Sequence, residues 1–186
     1  YLIEDDDQDV EYFSGVGTSG WMLIDAKGEF AGFGARRIRE KALHYLSENI
    51  RDGDKIFIFG FSRGAAIARD LANHIHDGGL GRSRRVGIEV LGLWDTVAAF
   101  GVPIDVLGLP TQDINVGKKL DVPPSVRHVY HLLSIDERRS PFIPTLVEAG
   151  SNVQEVWFPG VHADVGGGSE SRRLADTSLL FMFERV

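Results

Sequence analysis

The chain has 186 residues, 43% hydrophobic and 25% charged, which suits one soluble globular domain with a real core and leaves two domains cramped. Its formal net charge of −7 argues against a nucleic-acid partner, which wants a basic face, and gives no electrostatic help at an anionic membrane. The lack of cysteine excludes a disulfide framework, a thiolate metal site and a cysteine nucleophile. No apolar run approaches the ~20 residues that span a bilayer, and no signal peptide is read.

In chain order, the acidic run Glu4-Asp5-Asp6-Asp7 reads as a solvated loop rather than a metal-binding carboxylate cluster. Val10-Glu11-Tyr12-Phe13 reads as a short strand, followed by the glycine-rich stretch from Ser14 to Gly20. That stretch either presents backbone N–H groups to a ligand or is a flexible connection; the residues leave both open. From Ala35 to Ile50, Ile38, Ala42, Leu46 and Ile50 recur at helical spacing and predict an amphipathic helix. Asp52-Gly53-Asp54 is the turn that follows it.

Residues 55–59, Lys-Ile-Phe-Ile-Phe, are a buried strand by their β-branched and aromatic content. Gly60-Phe61-Ser62-Arg63-Gly64 interrupts it, and good helix formers run from Ala65 through Ile75 to a stop at Asp77-Gly78-Gly79. Strand, G-x-S-x-G, helix is the nucleophile elbow of an α/β-hydrolase. The turn is so tight that Ser62 is expected in a strained conformation at its apex. Side chains at Gly60 or Gly64 are expected to collide with the adjoining strand or helix. The elbow also sets the serine at a helix N-terminus, where free N–H groups favour developing negative charge. The stretch lacks the Lys-Ser/Thr ending of a phosphate loop and the G-x-G-x-x-G spacing of a dinucleotide site.

Residues 86–94 predict the next strand, closed by Asp95-Thr96. An aspartate at the carboxyl end of a strand lies where an open parallel sheet binds its ligands. Asp95 is thus a candidate triad acid, with a helix N-cap as its plainer alternative. Residues 98–125 hold several Gly and Pro without periodicity and read as a lid or acyl-binding loop. Residues 126–134 are a further strand. His128 and His131 lie three apart on it, on opposite sides, so they cannot chelate one metal together, and neither sits in a loop after a strand end. The mixed charges of Asp136-Glu137-Arg138-Arg139 read as a self-paired structural loop.

Residues 155–158 are the last strand, leading into Pro159-Gly160-Val161-His162-Ala163-Asp164-Val165-Gly166-Gly167-Gly168, and a final helix runs from Arg172 to Val186. A histidine in a glycine-rich loop after the last strand is where the general base of this fold sits, its imidazole left mobile by the glycines. Ser62, Asp95 and His162 then stand in the chain order Ser…Asp…His of α/β-hydrolases. In these roles His162 takes the Ser62 proton, Asp95 holds the imidazole tautomer, and the Arg63 backbone N–H is one oxyanion donor. Asp164 is the rival acid. Two residues from His162, it is poorly placed to orient that ring and reads as a support for the glycine loop.

The segments QDVEYFSGVGT, FGFSRGAAIAR, LGLWDTVAAFG, HLLSIDERRSPFIP and VWFPGVHADVGGGSE resemble, in order, motifs of the α/β-hydrolase family that includes the type VI secretion phospholipase effectors. The resemblance covers nearly the whole chain. It implies a three-layer α/β fold with a mostly parallel sheet, as one catalytic domain over residues 1–186. It also implies that Ser62, Asp95 and His162 are the triad of an enzyme hydrolysing lipid carboxylic esters, phospholipids in the characterised effectors. The alternatives are a small-ester, thioester or polyester esterase and a catalytically silent binding module.

Family members usually begin with a strand ending in an Asp-Gly-Thr loop, and this chain starts after it, so that it is a fragment, its first residues are disordered or cut, or another loop substitutes. That strand and loop correspond to the position of the second oxyanion donor, for which Gly15, Val16 and Gly17 are the candidate substitutes. Ser169 stands where the family often has tyrosine, and no membrane-anchoring domain is read. Neither metal nor cofactor is called for. The implied partners are a lipid or other acyl ester, a membrane surface and, for an effector, a cognate immunity protein. The expected location is the bacterial cytoplasm, or beyond it by export without a cleavable signal.

Overall fold

The computed structural model describes residues 5, 8–15, 29–81, 86–98 and 120–186, with the backbone alone for residues 29–33. Strands β1 (Lys55–Phe61), β2 (Gly87–Trp94), β3 (Val126–Ser134) and β4 (Val153–Phe158) form one parallel sheet in the order β1-β2-β3-β4. Helices α1 (Glu29–Asn49) and α2 (Arg63–His76) cover one face, and α3 (His162–Gly166) and α4 (Arg173–Phe183) belong to the other. This is the three-layer α/β arrangement that the pattern of elements predicts.

The carboxyl-terminal halves of the central strands β2 and β3 are apolar and mostly buried because helices lie on both sides of the sheet. On the α1–α2 side Ile56, Ile58, Leu91, Leu93 and Val129 pack against Ala65, Ala68, Leu71 and Ala72. On the other side Leu132 and Phe158 meet Val165 and Met182. The small alanines of α2 are completely or nearly buried and let that helix lie close on the sheet.

Four local expectations are corrected. Residues 8–15 hold no strand. The alternation there suits a strand, but Phe13 instead packs edge-on against Tyr45 of α1, with ring centroids 6.4 Å apart. The amphipathic helix starts at Glu29 rather than Ala35. His162 opens a one-turn helix where a glycine-rich loop was expected.

The fourth correction separates the two elbow glycines. A Cβ on Gly60 would lie 2.5 Å from the Gly64 carbonyl oxygen and 2.7 Å from Ala65 Cα, whereas one on Gly64 would meet nothing within 4 Å. Gly60 is where α2 folds back over β1; Gly64 faces open space. Gly60→Ala should therefore destabilise by about 1–3 kcal/mol, while Gly64→Ala should stay within ~1 kcal/mol of wild type. Urea unfolding of the two variants checks the difference.

Candidate active site

The carboxyl ends of the strands bring the site together. Ser62 follows β1, Asp95 follows β2, Ser134 ends β3, and His162 follows β4 after a short connection. Among the described residues, Ser62 (φ 58°) and Asp95 (φ 44°) are the non-glycine positions in the left-handed region. Strain of this kind costs on the order of 1–3 kcal/mol per residue and persists only where the surroundings enforce it. Here the backbone does so. Ser62 N–H donates to Trp94 O (2.9 Å), Val97 N–H to Ser62 O (3.2 Å) and Asp95 N–H to Leu132 O (2.7 Å). Two strand ends thus clamp the serine turn and the aspartate turn to each other.

The side chains form one line of hydrogen bonds. His162 Nδ1 lies 2.7 Å from Asp95 Oδ2, and its Nε2 lies 2.8 Å from Ser62 Oγ. A carboxylate only accepts, so the ring proton is on Nδ1 and Nε2 is free to accept from the serine hydroxyl. Asp95 is wholly buried, and it takes two further bonds, from Ser134 N–H (2.8 Å) and Ser134 Oγ–H (2.7 Å). Burial of an ionised carboxylate is tolerable because its lone pairs are occupied in this way.

His162 is held from all sides rather than left mobile. Its ring lies between Phe61 (centroids 4.6 Å apart) and Phe142 (4.9 Å). Gly166 lies so near the Phe61 ring that a Cβ there would clash with it. The backbone N–H of His162 donates to Glu137 Oε2 at 3.2 Å. Glu137 also binds the Arg139 guanidinium at 2.7 Å, and Arg139 in turn covers the Phe142 ring at 4.2 Å. The Arg139 guanidinium, then the Arg139 and His162 backbone N–H groups, pull the Glu137 carboxyl down to about 2.

Asp164 does not reach the imidazole chain. Its Oδ2 accepts from Val161 N–H (3.0 Å) and its Oδ1 from Ser169 Oγ–H (2.5 Å), which hold its carboxyl below the usual range. It caps α3 from within the first turn, as half of a capping box does. Of the oxyanion candidates, Arg63 opens α2, where the first N–H groups have no intrahelical acceptor. Gly15 is in irregular backbone, and Val16 and Gly17 lie outside the described residues. So do residues 99–119, most of the expected lid. His128 is exposed and stacks on Tyr130.

Sequence reasoning missed Ser134, Glu137, Phe61 and Phe142. The first two act across 39 and 25 residues of chain, a separation no local pattern encodes. The pairing of Glu137 with Arg139 was legible, but its bond to the base was not.

Several known proteins are similar to this chain. An uncharacterized protein of Saccharomyces cerevisiae, YEL023C, is 30% identical over 140 residues, covering 53% of this chain and 19% of the yeast protein. The structure of the Tle1 effector bound to the VgrG spike of the type 6 secretion system has a TM-score of 0.56 and 27% identity. That match covers 74% of this chain and 31% of the effector chain. An uncharacterized protein from Pseudomonas aeruginosa scores 0.49 at 25% identity, over 76% of this chain and 24% of its own. The chain thus spans about a fifth of the yeast protein and under a third of the effector. Residues 2–84 and 80–185 match the catalytic domain described as that of the type VI secretion phospholipase effectors of the Tle1-like kind, and the chain belongs to that family.

Proposed function

We propose that this chain is the catalytic domain of a serine hydrolase that cleaves carboxylic esters of lipids, phospholipids among them, through an acyl-enzyme on Ser62. The observation that carries it is the line Ser62 Oγ–His162 Nε2–Asp95 Oδ2, at 2.8 and 2.7 Å, at the carboxyl end of a parallel sheet.

The chemistry follows from the atoms. His162 Nε2 takes the Ser62 hydroxyl proton as Oγ bonds to the ester carbonyl carbon. The imidazolium formed is stabilised by Asp95, which stays ionised. The oxyanion meets the Arg63 N–H at the positive end of α2. As the tetrahedral intermediate collapses, the alkoxide leaves with the proton from Nε2. Water then attacks the acyl-serine, again giving its proton to His162, and Ser62 is regenerated as the fatty acid departs.

The lipid reading draws on two supports. The first is the family, whose description names phospholipase effectors. The second is the segment that carries Glu137 and Phe142 to the base: it exposes Ile135 (62%), Ile143 (55%) and Leu146 (50%). Exposed apolar side chains on a segment that also touches the base suit an acyl substrate better than a soluble one. As part of the same reading, the protein is delivered by a type VI apparatus and neutralised in its producer by an immunity protein. The Tle1 neighbour bound to a VgrG spike supports delivery.

The test is turnover of p-nitrophenyl esters from acetate to palmitate beside a phospholipid. Rates rising with acyl length, together with fatty-acid release from the phospholipid, are the expected result. Hydrolysis confined to acetate and butyrate would replace the lipid reading with that of a small-ester esterase.

A further inference from the structure

A second histidine–carboxylate pair lies behind the site and takes no part in the chemistry above. His131, on β3, is fully buried, with its Nδ1 2.8 Å from Glu155 Oε1. Its Nε2 faces the backbone N–H of Thr96 at 3.3 Å and Thr96 Oγ1 at 3.0 Å. A backbone N–H can only donate, so Nε2 accepts and the ring proton is on Nδ1, where it is donated to Glu155. Neutral imidazole fits this site; imidazolium would turn a second N–H against that of Thr96.

The contacts close into a ring. Glu155 Oε1 also accepts from Val147 N–H at 2.9 Å, and Thr145 N–H donates to Thr96 O at 2.8 Å. The buried Arg69 guanidinium fastens the same strap, donating to Thr145 O (2.9 Å), Leu146 O (3.1 Å) and Leu120 O. Thr96 is the residue after Asp95, whose left-handed backbone must be enforced from outside. The strap held at Thr145 and Val147 begins at Phe142, which packs on the His162 ring. One buried imidazole therefore reaches both the acid and the base.

The geometry points to His131 as a positioning residue: neutral between Glu155 and Thr96, it fixes the Asp95 turn and the Phe142 strap on which the Ser62–His162–Asp95 line depends. This rests on the reading of those three residues as a triad. The groups facing His131 are Glu155 from β4, Arg69 from α2 and Asp95 from the end of β2. Burial pulls the imidazole below its ordinary range and Arg69 adds to this, while Glu155 and Asp95 pull it back up. The folded chain thus binds this proton less readily than the unfolded one. Stability from His131 is complete above the ordinary imidazole range and falls as pH drops through and below it. Activity carries the same signature: at the acid end two histidines, not one, must be neutral.

The experiment is a pH–rate profile from about pH 5 to about pH 8, read as kcat per fluorophosphonate-titrated site and as KM. The proteins are wild type, His131→Phe and His131→Gln. Long-range 1H–15N spectra of the histidine rings accompany it. Wild type should show the Nδ1–H tautomer at His131 and an acid limb in kcat/KM that steepens from one proton towards two. His131→Phe should lose about tenfold to a hundredfold in kcat per site, as small misplacements of catalytic groups do, with KM little changed. His131→Gln, whose amide can still accept from Thr96 and does not titrate, should recover most of the rate and hold a one-proton limb. An unchanged kcat in His131→Phe, a steepening limb retained in His131→Gln, or an Nε2–H tautomer would each overturn the proposal.

If His131→Phe does not fold, the glutamine variant and the tautomer decide. Failure of the hydrolase reading shows separately, as no turnover in wild type. The His131 tautomer and the response of the His162 ring resonances to His131→Phe then settle the positioning role without activity.

Discussion

Alanine at position 62 is expected to abolish ester turnover, with a loss of about 10⁴- to 10⁶-fold in kcat, and to leave the fold intact. The serine side chain bonds only the His162 ring within the line described, so its removal opens no core cavity and breaks no ladder bond. What stays is the binding surface and the N–H groups of α2, which sustain a residual rate far below that of the acyl-enzyme route. Far-ultraviolet circular dichroism and urea unfolding check the fold beside the kinetics. Substantial turnover by Ser62→Ala would place the nucleophile elsewhere.

The second large effect is expected at Asp95, and an inventory of donors gives the reason. The two carboxylate oxygens accept three hydrogen bonds, from Ser134 N–H, Ser134 Oγ–H and His162 Nδ1–H. In Asp95→Asn only one of the two positions can accept. If the amide oxygen meets Ser134 N–H, which cannot reverse, the NH₂ faces His162 Nδ1. The ring must then carry its proton on Nε2, aimed at Ser62, and can no longer take one. The expected loss is about 10⁴-fold in kcat. Asp164→Asn should cost far less, because that carboxylate meets Val161 and Ser169 and not the imidazole. Kinetics of the two variants, side by side, decide the acid. A larger loss at Asp164 than at Asp95 would reverse the assignment.

These particulars show why the sequence disclosed some of the site and not the rest. The elbow was legible because its signals are local: a β-branched strand, a glycine where a Cβ would strike the next turn, and helix formers beyond. Asp95 and His162 were legible because strand ends are, and a parallel sheet gathers its strand ends at one edge. The second glycine of the motif was misjudged, since spacing says that a glycine is present but not which surface it faces. The one-turn helix at His162 was hidden by the glycines after it. Its cap, Asp164, was recognised as a support without the structure that it supports. Residues 10–13 read as a strand because their residue types are a local property, whereas pairing needs a neighbour. Ser134, Glu137 and the His131–Glu155 pair were beyond reach, because their partners lie 24 to 39 residues away and are joined to them only by the sheet.

The most direct test of the account is covalent labelling with a fluorophosphonate, which reacts only with a serine that a neighbouring base has activated. Intact mass and peptide mapping should show one adduct per chain, on Ser62, with none in Ser62→Ala and greatly slowed labelling in Asp95→Asn. An adduct at another residue, or ester turnover by a wild-type protein that takes up no label, would contradict it.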